Sequence, residues 1–281
     1  MLAEESAAFG EESDALYRLL HPLDDGDWAV PTQFNGWTIN DVMAHLHSGN
    51  ISALVSLTDR DAYLKARQER SQVAQQTGAS NLALQHHSIG NITGRELLAR
   101  WHEQYRALAA AFAQADPKKR VPWAGRDMSA RSSISARLME TWAHGQEIYD
   151  QLGVVRTDTD RIHHIAMLGV NTFGWSFSNR GLPVPAERPT VQLVSPSGRD
   201  WAWPGTAPAS ECITGAASEF CQVVAQTRNI ADTRLVVSGE IAASWMANAQ
   251  CFAGPPRVPP APGTRYTQPR KGVQTGGAGA G

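Results

Sequence analysis

Two short stretches of this sequence hold side chains that could share a metal ion. In METWAHGQEIYDQLG, residues 139–153, Glu140 and His144 stand four positions apart. On an α-helix that spacing stacks both side chains on one face, with Cβ atoms about 5–6 Å apart. In MAHLHSGN, residues 43–50, His45 and His47 offer two more imidazoles. Two ligands from one helix and a histidine from a neighbour make a His/His/carboxylate set. Zinc takes such ligands at about 2.0–2.2 Å, and the position left open is what a catalytic ion needs.

Helical phase leaves both readings of the pair open. The bulky stripe of this segment is Ile134, Leu138, Trp142 and Gly145, and Glu140 and His144 point away from it, toward Arg137, Glu147 and Gln151. That is either a solvated face or the lining of a polar cavity beside the core. His45 and His47 both flank the Val42/Leu46 stripe, so phase does not choose between them. The other histidines read as structural: His21 before Pro22, His86 and His87 in a loop-like segment, His102 beside Trp101, and His163 and His164 opening a helix. Adjacent histidines on a helix diverge and rarely chelate one ion.

These side chains need helices to position them, and the first half of the chain supplies the signals. Residues 3–20 form an amphipathic helix with Phe9, Leu16, Leu19 and Leu20 on its apolar side, followed by a Pro/Gly loop over 21–37. Thr38 is the N-cap of a second helix, supported by Asp41, that runs to about Leu57. Residues 59–76 read as a further helical stretch and 78–92 as loop-like. Thr93 and Glu96 form a capping box before the third bundle helix. The fourth covers about Ser129–Leu152 and stops at Gly153. The pattern predicts a four-helix bundle.

After it the chain changes character. One helix is expected over 158–180, then a β-hairpin with Val191 and Leu193, a turn at Ser197-Gly198, and Trp201 and Trp203. Residues 217–226 and 240–252 read as helices and 233–239 as a strand, giving a small α+β unit. The expected organisation is a bundle over 1–156, an α+β domain over 157–256 and a disordered Pro/Gly-rich tail over 257–281.

Composition limits the function classes. With 42% hydrophobic residues over 281 positions the chain can bury a substantial core. A net charge of -2 and no basic-aromatic stripe give no nucleic-acid site. No signal peptide and no apolar run of about 18 residues are visible, so a cytoplasmic protein without a membrane partner is expected. Cys212, Cys221 and Cys251 have no metal-binding spacing and read as buried, reduced thiols.

The motifs resemble a known family. PTQFNGWTINDVMAHLHSGN, residues 31–50, is similar to the Gly-Trp-Thr…Ala-His-Leu opening of the mycothiol-dependent maleylpyruvate isomerase family, within the DinB-like superfamily. RLMETWAHGQEIYDQLG, residues 137–153, resembles its second signature, and the segment from Ile213 to Pro256 resembles the C-terminal part of an uncharacterised, metal-binding branch. The resemblance covers about residues 3–256. Asn35 stands where the family often has proline.

The resemblance implies a mainly α protein: a DinB-like four-helix bundle carrying a divalent metal, then a sterol-carrier-protein-like α+β domain. It implies His45, Glu140 and His144 as metal ligands, and His47, without a family counterpart, beside them. The isomerases use a C-terminal arginine for the substrate, and Arg228 is the candidate. Trp37 and Trp142 are candidate walls of the site or plain core residues. The metal is expected to be zinc, although iron(II) suits the same ligands. Mycothiol is the implied co-substrate. Its thiolate would attack an electrophilic small molecule, ending in S-transfer or cis-trans isomerisation. The alternatives are a metal-dependent hydrolase, with Glu147 or His47 as base, and a non-catalytic binding protein with a structural metal.

Overall fold

Helix signals in the first half become four long helices and two accessory ones. The computed structural model describes residues 1–123, 125 and 127–269. Helix α1 is Ala3–Leu20 and buries Phe9, Leu16 and Leu20. Helix α2 is Ile39–Thr58. Its capping box is formed as expected: Asp41 N donates to Thr38 Oγ1 at 3.2 Å, and Thr38 N donates to Asp41 Oδ2 at 2.9 Å. Helix α3, Arg60–Thr77, buries no residue and ends at Gly78 in the left-handed region.

The stretch 78–92 differs from its loop-like expectation, because helix α4 occupies Asn81–Ser88. Too short for a periodic signal, it is held by its Ser80 cap and by contacts to α2, among them His86 Nε2 to Asp41 Oδ1 at 2.7 Å. Helix α5 is Gly94–Ala113, and the Thr93/Glu96 capping box is not formed. Gly94 takes φ +57°, which turns the chain away from the capping geometry, and its N–H donates instead to Asn40 Oδ1 at 2.8 Å. Strands β1, Arg120–Val121, and β2, Met128–Ser129, pair antiparallel before helix α6, Ala130–Gln151. Ser129 caps α6, and Gly153 at φ +65° ends it.

Helices α1, α2, α5 and α6 pack together as the bundle, around Phe9, Leu46, Trp101, Phe112, Leu138 and Trp142.

The single helix expected over 158–180 is broken. A 3-10 turn at Asp160–Ile162 leads into α7, His163–Asn171, and then α8, Phe173–Ser178. The break falls at Thr172, whose hydroxyl bonds back to Leu168 O at 2.8 Å and Gly169 O at 3.0 Å, a habit that bends helices. Strand β3 is Thr190–Val194 and β4 is Asp200–Trp203, the expected hairpin, with Val191 opposite Trp203 and Gly198 at φ +84° in the turn. Strand β5, Cys212–Ala216, was not legible in the sequence and pairs parallel with β3. Helix α9 is Ala217–Val224, β6 is Val236–Ser238, and α10 is Glu240–Asn248. The sheet order is β4-β3-β5-β6. Helix α7 packs on both α6 and α9 and so joins the two units. Among the described residues no helix is long and apolar enough to cross a membrane.

The tail expected to be disordered is ordered over its described part, 257–269. Asn229 Nδ2 donates to Pro260 O at 2.8 Å, Gly263 N to Asp232 Oδ1 at 2.9 Å, and Gln268 N to Asp150 O at 2.9 Å. Composition hid these contacts because most are made by backbone groups, which any residue carries. The remainder of that expectation, 270–281, lies outside the described residues.

Candidate metal centre

Mid-α2 and mid-α6 face each other, and their polar residues meet between them. Glu140 Oε2 lies 3.1 Å from His45 Nε2 and 3.5 Å from His144 Nε2. One ligand atom from each of these residues lies within 4.8 Å of the others. The imidazole centroids are 4.6 Å apart and steeply inclined. The side chains of His45 and Glu140 remain about one-fifth exposed (20% and 23%), so the cluster opens to solvent on one side.

Each imidazole is held from behind. His144 Nδ1 lies 3.0 Å from Glu147 Oε2, a buried carboxylate one turn further along α6. His45 Nδ1 lies 3.0 Å from the Gln85 amide nitrogen on α4. These contacts aim both Nε2 atoms at the same carboxylate.

Aromatic rings form a wall. Trp37 stacks on His144 with centroids 5.9 Å apart and planes 9° from parallel, and Phe34 meets the same imidazole edge-on at 5.1 Å. A tight turn sets both rings. Asn35 at φ +52° and Gly36 at φ +69° reverse the chain, and Trp37 N donates to Phe34 O at 2.9 Å. Proline's ring fixes φ near about −65°, so the residue common in the family at position 35 would not fit this turn.

The electrostatics follow from burial and pairing. Burial opposes charge on Glu140, yet hydrogen bonds from His144 and His45 hold its carboxyl well below the usual range. Burial also opposes charge on His144, but the Glu147 and Glu140 carboxylates raise it to about 10. Burial and the neighbouring His144 charge lower His45. Without a metal, the two carboxylates favour the charged form of His144, while burial pushes Glu147 up.

The donor set fits a divalent ion, and an orphaned atom supports the fit. Gln85 Oε1 is buried without a hydrogen-bond partner. Amide oxygen and nitrogen are assigned from their hydrogen bonds, and rotating this amide would let His45 Nδ1–H donate to Oε1. The His45 Nε2 lone pair would then face the centre, as a ligand requires.

The other sequence candidates sit elsewhere. His47 is buried facing the charge of Arg100, and burial followed by that charge lowers it to about 4. Trp142 is a core residue whose indole donates to Asp158 at 2.8 Å under the Arg156 guanidinium. Arg228 is committed to a bidentate pair with Asp150, both contacts at 2.7 Å. Gln85, Phe34 and Arg265 were missed. Arg265, from the tail, lies 3.8 Å from Glu147 Oε1 and over the Phe34 ring at 5.0 Å. No spacing rule brings a C-terminal residue here.

Residues 9–149 match the family model described as "Mycothiol maleylpyruvate isomerase N-terminal domain". Over 245 residues the chain is 37% identical to two Mycobacterium tuberculosis proteins, covering 87% of this chain and 93% of each relative. They are the uncharacterized protein MT0041 (strain CDC 1551 / Oshkosh) and the uncharacterized protein Rv0036c (strain ATCC 25618 / H37Rv). The crystal structure of the mycothiol-dependent maleylpyruvate isomerase aligns at TM-score 0.51 and 19% identity, covering 79% of this chain and 88% of that one. A histidine-to-alanine mutant of it aligns at 0.51 and 18%, with the same coverage. The shared fold is mainly helical with a small sheet region. Matched along half its length to the family model and along most of it to these relatives, the chain belongs to the mycothiol maleylpyruvate isomerase family.

Proposed function

We propose that this protein is a divalent-metal-dependent enzyme that uses mycothiol, adding its thiolate to an electrophilic small molecule in an S-transfer or a cis-trans isomerisation. The observation that carries this reading is the convergence of His45 Nε2, His144 Nε2 and the Glu140 carboxylate within 4.8 Å on a partly open face. Family membership supports mycothiol as co-substrate. Zinc is the proposed ion, because two imidazoles and one carboxylate with an open position suit it.

A bound ion there would act as a Lewis acid that favours the thiolate over the thiol near neutral pH. The chain's own residues do the rest. His45, Glu140 and His144 hold the ion, while Gln85 and Glu147 orient the two imidazoles. Trp37 and Phe34 exclude water from one side of the site and offer flat surfaces to an unsaturated substrate. Two of the three cysteines are poor internal nucleophiles: burial pushes the thiols of Cys221 and Cys251 up. That favours a thiol supplied from outside. The hydrolase alternative has less support, since Glu147 lies behind His144 and His47 faces Arg100.

The test is elemental mass spectrometry of the purified protein beside Glu140→Ala and His144→Ala, followed by mycothiol consumption with unsaturated electrophiles. About one zinc per chain in the wild type, lost in both folded variants, with mycothiol-dependent turnover, supports the reading. A wild-type protein that takes up no divalent ion after reconstitution overturns it.

A further inference from the structure

We propose that residues 264–268 form a strap that completes the metal centre, with Arg265 as its positioning residue. Arg265 orients Glu147, and through it His144, and seats the Phe34 wall. The inference rests on the metal reading of His45, Glu140 and His144.

The strap is built into both units of the molecule. It starts where Gly263 N donates to Asp232 Oδ1 at 2.9 Å. It then crosses to the bundle. Tyr266 N donates to Gln33 Oε1 at 2.8 Å, and Gln33 Nε2 donates to Tyr266 O at 3.0 Å, so one side chain satisfies both backbone groups. Thr267 Oγ1 donates to Asp150 Oδ1 at 3.0 Å, and Gln268 N to Asp150 O at 2.9 Å. Gln33 and Phe34 are neighbours, so the clamp holds the turn that carries the aromatic wall. Asp150 is the second anchor, one helical turn beyond Glu147 on α6.

Between these anchors Arg265 points inward. Its Nη1 donates to Gln226 O at 3.1 Å, which ties the guanidinium to the end of α9. Its charge lies over the Phe34 ring and 3.8 Å from Glu147 Oε1. The two oxygens of Glu147 thus face two different groups: Oε2 the ligand histidine at 3.0 Å, Oε1 the strap arginine. Among the described residues, His144 and Arg265 are the cationic partners of this buried carboxylate. Outer partners fix the ring orientation and basicity of a metal-bound histidine, and here the outermost partner arrives from the far end of the chain. Arg228 cannot substitute, since both of its terminal nitrogens are bonded to Asp150.

The experiment compares the wild-type full chain with Arg265→Met, Arg265→Lys and Gln33→Ala. Zinc affinity is read by competition with a chromophoric chelator, the absorption spectrum of the cobalt(II) form reads ligand geometry, and circular dichroism with thermal melting checks the fold. Arg265→Met is expected to weaken zinc roughly tenfold or more and to alter the cobalt bands. Arg265→Lys should recover part of the loss, and Gln33→Ala should weaken binding in the same direction with Glu147 untouched. Zinc affinity and cobalt spectrum unchanged in Arg265→Met, beside a wild type that binds one ion, overturn the strap and leave the metal reading standing. A wild type that binds neither ion overturns the metal reading and the strap with it. Should Arg265→Met fail to fold, Arg265→Lys and Gln33→Ala decide: wild-type affinity and spectrum in both overturn the strap.

Discussion

Gln85 reaches from α4 to within 3.0 Å of His45 Nδ1, and its own amide oxygen is left buried without a partner. This contact assigns Gln85 the task of orienting His45. Replacing it by leucine removes the hydrogen bond at similar volume, and zinc affinity should fall roughly tenfold with little change in fold. Gln85→Glu puts an acceptor on Nδ1–H, makes the imidazole a stronger ligand, and should hold zinc at least as tightly as wild type. Competition titration of the three proteins checks both directions. Equal affinity in all three would remove Gln85 from the site.

Metal uptake should be coupled to protons at His144. Its folded value of about 10 lies above the ordinary value of 6.5, because the carboxylates of Glu147 and Glu140 outweigh burial. In the metal-free protein its contribution to stability is fully present below about 6.5 and is lost as pH rises through about 10. An ion must displace that proton, so affinity should rise with pH across 7–9, with release of about one proton per ion. Calorimetry in two buffers of different ionisation enthalpy counts the protons. Binding at pH 7 without proton release would contradict this assignment.

The centre was legible where the information is local. The Glu140/His144 pair can be read from i, i+4 spacing, whereas His45 is separated from His47 only by the family resemblance; the Thr38–Asp41 cap that starts α2 formed as expected. The supports were not legible, for physical reasons. Gln85 sits on a helix too short to show a period, anchored by tertiary contacts. Arg265 belongs to a segment whose Pro/Gly-rich composition reads as unstructured, yet its backbone finds side-chain partners on the bundle. Arg228 had the right residue type in the right unit, but no sequence rule reveals that a partner 78 positions away, Asp150, occupies it.

Arg228 should matter for stability more than for metal content. Arg228→Ala removes the cationic partner of the buried Asp150 carboxylate, which keeps neutral hydrogen bonds from Gln146 and Thr267, and should cost about 3–5 kcal/mol, while zinc stays near one per chain. Chemical denaturation together with elemental analysis separates the two effects. Loss of metal in a variant that remains folded would bring Arg228 into the site after all.

His47 should make the protein sensitive to mild acid. It is buried, its Nδ1 has no partner, and burial together with the Arg100 charge lowers it to about 4. The unfolded chain takes up a proton here near 6.5, while the folded one resists until about 4. Between those values the unfolded state binds more protons, so stability is fully present above about 6.5 and falls as pH drops toward 4. The full difference is on the order of 3 kcal/mol. His47→Leu keeps the volume and removes the titration. Urea denaturation at pH 7 and pH 5 should therefore show a smaller acid loss for the variant than for wild type. Parallel losses in the two proteins would mean that acid enters elsewhere, through the carboxylates that the fold keeps charged, with Glu140 first among them.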